Sequence, residues 1–142
     1  MVALAMGGFS LARPSNFMTD EQLRAKSDLI VIAVPKSVRD MYAETTFPGI
    51  QQNGLPVEAA KMEADFEIVS VLKGAPPAGN KLTLDYLREV DASKLSVNGP
   101  SLVSFNPRLE MSYRLCLRRE ESGHYTPITG QTDAAFSIVP WK

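Results

Sequence analysis

The chain is poor in the residues that carry most familiar chemistry. It has one cysteine and one histidine in 142 residues. A single cysteine excludes an internal disulfide and any cysteine-rich zinc site. A single histidine excludes HExxH and histidine-cluster metal sites. No charge of one sign dominates: 15 lysines and arginines stand against 16 aspartates and glutamates, a formal net charge of −1. The concentrated positive charge of a general phosphate-backbone binder is therefore missing. No apolar run approaches the roughly 20 residues that a membrane-spanning helix needs. Gly7-Gly8 is followed by no lysine and no strand-to-helix context, so it is not a phosphate loop.

What is present is the mixture of an ordinary globular protein, with 44% apolar and 22% charged residues. The length suits one domain, and a chain of this size can bury a core without metal or disulfide. Residues 1–12 (MVALAMGGFSLA) carry no charge. Ser10-Leu11-Ala12 resembles the cleavage region of a secretory signal peptide that lacks its basic start. The expectation is a signal-peptide remnant or tail over 1–12, a single domain over 13–142, and a secreted or periplasmic protein.

Thr19-Asp20-Glu21-Gln22 is a capping-box pattern that predicts a short helix from Asp20 to Lys26. Leu29 to Val34 is an apolar, β-branched run that predicts a buried strand, with Pro35 marking an edge or bulge. Turn signals crowd residues 39–60 (Pro48-Gly49, Asn53-Gly54, Leu55-Pro56), which predicts a long irregular excursion. Residues 61–72 and 81–87 alternate as a hairpin, with Phe66, Ile68, Leu82, Leu84 and Tyr86 inward. Ser101 to Phe105 reads as a short strand. Met111, Tyr113, Leu115 and Leu117 alternate with Ser112, Arg114, Cys116 and Arg118, so the first set is expected to face the core. Tyr125 to Ile128 is the hairpin partner of that strand. Thr132 or Asp133 is placed to cap a helical turn ending at Phe136, before Ser137 to Trp141 closes the domain. The expected fold is mainly β: a small antiparallel OB-like barrel of about five or six strands with one or two short helices.

Three stretches together resemble netrin-like domains, the group that includes the tissue inhibitors of metalloproteinases, and in particular small exported bacterial proteins of that shape. They are Ser27-Asp28-Leu29-Ile30-Val31, Phe66 to Gly74 (FEIVSVLKG), and Tyr113-Arg114-Leu115-Cys116-Leu117 leading through Gly123-His124-Tyr125-Thr126-Pro127 to Gln131. The resemblance covers about residues 27–140 and implies an OB-like barrel. The animal inhibitors bind a protease zinc through an N-terminal cysteine. This chain has no cysteine before Cys116, so that mechanism does not carry over.

The candidate chemistry is sparse. His124 lies between Gly123 and Tyr125 in an expected turn, with no catalytic partner predictable from the sequence. Cys116 reads as a small buried hydrophobe. Gln131, Thr132 and Asp133 read as a turn and cap. Arg114, Arg118 and Arg119, with Arg88 or Arg108, form a candidate basic stripe on the outer barrel face. The expectation is a non-enzymatic binding module that recognises another protein through barrel rim and loops. The alternative is an oligonucleotide- or glycan-binding OB domain using the arginine face. No catalytic residue, cofactor, metal or transmembrane segment is expected, and nucleic acid is the less favoured partner.

Overall fold

A computed structural model describes residues 16–90 and 100–142. The element order is α1 (Asp20–Lys26), β1 (Leu29–Gln52), β2 (Leu55–Lys73), β3 (Lys81–Glu89), β4 (Tyr113–Arg119), β5 (Tyr125–Pro127) and β6 (Ile138–Pro140). Short 3₁₀ turns occupy Ala78–Asn80, Pro107–Leu109 and Gln131–Phe136. The helix forms as the capping box requires. Thr19 accepts from the Gln22 N–H at 3.2 Å, and Gln22 accepts from the Thr19 N–H at 3.0 Å.

The strands make one six-stranded sheet in the order β1-β2-β3-β5-β4-β6, with β1 also paired to β4 from Leu29 to Ala33. The expected fold, an antiparallel OB-like barrel, is corrected to a mixed sheet with short helices. β3 and β5 run parallel, paired at Leu84 and Tyr125. The reason lies in the connection: the chain leaves β3, returns to begin β4, and folds β5 back on β4. β5 thus arrives beside β3 in the same direction.

The expected loop over 39–60 is also corrected. β1 and β2 are 24 and 19 residues long and pair from Ile30–Lys73 out to Gln52–Leu55. The turn signals were real, but most became bulges. The register shifts after Pro35, between Asp40 and Glu44, and between Thr46 and Gln51. Only Asn53-Gly54 reverses the chain, with φ of 55° and 77° at its two residues, as a tight hairpin turn demands.

The main core gathers Leu29, Val31, Ala33, Phe66, Leu84, Leu115, Leu117 and Tyr125 on one face of the sheet. The segment expected to be a strand at Ser101–Phe105 is an irregular stretch instead. Its Phe105 ring packs edge-on against Phe66, Tyr86 and Tyr113 at centroid distances of 5.1 to 5.3 Å. One large aromatic anchor supplies burial there without ladder hydrogen bonds. Met111, expected inward, is 38% exposed and precedes β4, whereas Leu115 and Leu117 are fully buried. On the opposite face of β4, Cys116 packs with Ile30, Ile128 and the Leu23 of α1. A third cluster of Phe47, Val57, Ala59 and Leu87 stabilises the outer part of the β1–β2 ribbon. The Gln131–Phe136 turn is capped by Gly130 in place of Thr132 or Asp133. Thr132 instead donates to the Pro48 carbonyl at 2.9 Å, and buried Asp133 accepts from the Asn16 N–H at 2.9 Å. Residues 1–12, with the expected cleavage pattern, lie outside the described residues.

Candidate functional site: an acidic groove

Strand alternation that buries Ala64, Phe66, Leu84 and Tyr86 forces the intervening residues onto the outer face of the sheet. The register then sets polar groups side by side. Arg39 of β1 lies opposite Glu63 of β2, and Glu63 lies opposite Asp85 of β3. One step along, Ser37 lies opposite Asp65, and Asp65 opposite Thr83. The Arg39 guanidinium donates to Glu63 Oε1 at 2.8 Å and also bridges to Asp65. Asp65 accepts from Ser37 Oγ and Thr83 Oγ1, each at 2.9 Å. The Arg39 guanidinium holds the Asp65 carboxyl far below the usual carboxylate range, with the two hydroxyls assisting.

His124 joins this row from the β4–β5 turn. Its Nδ1 is 2.9 Å from Asp85 Oδ1 and 3.7 Å from Glu63 Oε2. His124 lies in the β4–β5 turn, and its carboxylate partners are ones the sequence does not predict. The cause is the parallel pairing of Leu84 with Tyr125, which carries residue 124 to the outer face of β3. No period or motif in the sequence signals that juxtaposition, because it depends on the crossover between β3 and β4. The turn itself is held by the Glu120 N–H donating to the His124 carbonyl at 2.9 Å and by the His124 N–H donating to Ser122 Oγ at 3.2 Å.

Around the cluster runs an open groove of about 900 Å³. Exposed Met41 and buried Leu87 contribute apolar lining. Its charged lining is Glu63, Asp85, Glu120 and Glu121 against a single lysine, Lys61. Burial pushes the Tyr86 phenol up to about 12, so it stays neutral. Gln131 donates from Nε2 to the Asp85 carbonyl at 2.8 Å, while its Oε1 is buried without a hydrogen-bond partner. At the rim, the bulge between Asp40 and Glu44 holds Tyr42 at φ 53° with 93% of the residue exposed. Asp40 fixes that bulge by accepting from the Tyr42 N–H at 2.8 Å and from Arg88 Nη2 at 2.6 Å.

The five arginines singled out from the sequence are spread over several elements. Arg88 is held by Asp40 on the ribbon. Arg114 sits 5.7 Å over the Trp141 ring and 3.9 Å from Asp20 of α1. Arg118 and Arg119 are exposed at the end of β4, where the Arg119 N–H donates to Asp28 Oδ2 at 2.9 Å. Between Arg114 and Arg118, Cys116 is buried under α1, and burial pushes its thiol up. Arg108 belongs to the exposed Pro107–Leu109 turn.

No protein-family model matches the chain, and no curated protein matches it. The netrin-like resemblance is corrected on the mixed sheet. The short stretches that carried it are explained by hairpin formation: Lys73-Gly74 ends β2, and Gly123-His124-Tyr125 leads into β5. Recognition through a barrel rim, and the OB-type arginine-face alternative, lose their structural basis with it. Among the described residues no helix is long and apolar enough to cross a membrane.

Proposed function

We propose that this domain is a binding module without catalytic turnover, and that its outer-face groove takes a positively charged ligand. The observation that carries the reading is the charge of the groove: four carboxylates line it against one lysine. Glu63 and Asp85 are moreover direct cross-strand partners, an arrangement of like charges that costs stability unless a cation offsets it. Arg39 offsets part of that charge, but it is shared with Asp65. Exposed Met41 in the lining suits the alkyl stem of a lysine or arginine from a partner protein. A phosphate backbone would be repelled. Binding is favoured over bond-making because the one thiol, Cys116, is buried on the other face. We also propose export, supported by the uncharged start ending in Ser10-Leu11-Ala12. Mass spectrometry of the native protein finding Met1 intact in a cytosolic fraction would contradict that part.

The groove is tested by calorimetric titration of the full chain with a tetra-arginine peptide at low salt, with tetra-glutamate as the control. Tetra-arginine is expected to bind, to weaken as salt rises, and to bind at least about fivefold more weakly to a Glu63→Gln/Asp85→Asn variant. Equal binding of tetra-glutamate, or unchanged binding by the variant, would overturn the reading.

A further inference from the structure

We infer that Glu63, Asp85 and His124 together form a binding site for a divalent transition metal ion of the zinc class. The inference rests on the groove's preference for positive charge and specifies the cation. Three separate elements, β2, β3 and the β4–β5 turn, bring one donor atom each to a common point, and those atoms all lie within 4.8 Å of one another. The nearest two are 2.9 Å apart, and His124 Nδ1 is 3.7 Å from Glu63 Oε2. A tetrahedral ion with bonds of about 2.1 Å places its ligand atoms about 3.4 Å apart, so the spacing needs only small side-chain adjustment. One imidazole with two carboxylates suits zinc, nickel or manganese better than calcium, which takes six or more oxygens.

The surroundings support the donors. Arg39 holds Glu63 by Oε1 at 2.8 Å, which fixes the carboxylate and leaves Oε2 toward His124. Gln131 is an independent observation in the same groove. Its Nε2 donates to the Asp85 carbonyl at 2.8 Å, which fixes the backbone that carries one of the three ligands. Two of the three ligands stand on paired strands, which limits the reorganisation that binding requires.

The experiment uses the full chain. Zinc is titrated calorimetrically, and cobalt is added in parallel to read the visible absorption of a low-coordinate site. One zinc per chain is expected, with affinity reduced at least about tenfold in His124→Ala and in Asp85→Asn. Unchanged thermal unfolding of the metal-free variants certifies that they fold. If Asp85→Asn does not fold, His124→Gln supplies the second variant. Zinc bound equally by wild type and variants would overturn the inference, since the metal would sit elsewhere. Tetra-arginine binding without zinc binding would overturn the metal site and leave the groove reading intact. Failure of both ligands would overturn both.

Discussion

Single side chains in this protein act through their neighbours across the sheet, and Asp65 shows how. Its carboxyl is depressed by Arg39 foremost, then by the Thr83 and Ser37 hydroxyls, and its side chain is 40% exposed. A carboxyl whose folded value lies below its unfolded value of about 3.9 binds fewer protons in the native state. Its contribution is therefore full above about pH 4 and is lost as the pH falls below that. Asp65→Asn is expected to lower stability at pH 7 by about 1 kcal/mol, a figure kept small because solvent screens the pair. It should also flatten the loss of stability between about pH 4 and 2, as read by urea denaturation at several pH values. Equal acid slopes in both proteins would contradict the assignment. Cys116 gives a second outcome at this scale. Buried at 1% exposure with its thiol pushed up by burial, it should resist a disulfide reagent in the folded protein and react on unfolding. Fast labelling under native conditions would show that α1 does not cover it.

Among the elements, the segment entering β1 closely approaches the end of β2. Gly74 has φ +88°, and a Cβ placed there would lie 2.3 Å from the Asp28 carbonyl oxygen. Gly74→Ala therefore meets both a left-handed backbone and a backbone clash, and is expected to cost more than about 1 kcal/mol. A melting temperature unchanged by that substitution would contradict the packing. The elements also show what the sequence could convey. The capping box, the buried run of β1, the β2–β3 hairpin and the β4–β5 hairpin were legible, because local hydrogen bonding and period-2 burial suffice to specify them. The 39–60 segment reads as a loop because its Pro and Gly residues sit at irregularities of a long ribbon, and bulges share their composition with loops. Phe105 resembled a strand residue by alternation alone, yet it is an aromatic plug.

For the whole molecule, the decisive contacts are long-range. The parallel meeting of β3 with β5 is invisible to local pattern, and it both makes the sheet mixed and brings His124 to Glu63 and Asp85. The same long-range pairing gathers acidic residues that are far apart in the chain. Glu63, Asp85 and the pair Glu120-Glu121 come from three elements and line one groove only after folding. Of the arginines read as a stripe, Arg88 pairs with Asp40 and Arg114 lies over Trp141, while Arg118 and Arg119 are exposed at the end of β4. Charge balance over the full chain, at −1, thus conceals a locally acidic face. The most direct measurement of that claim is a two-dimensional amide NMR titration of the uniformly labelled full chain with tetra-arginine. Shifts concentrated at residues 61–64, 85–87 and 120–126 are the result this account predicts. Shifts scattered over the surface, or centred on Asp20 and Glu21 of α1, would contradict it.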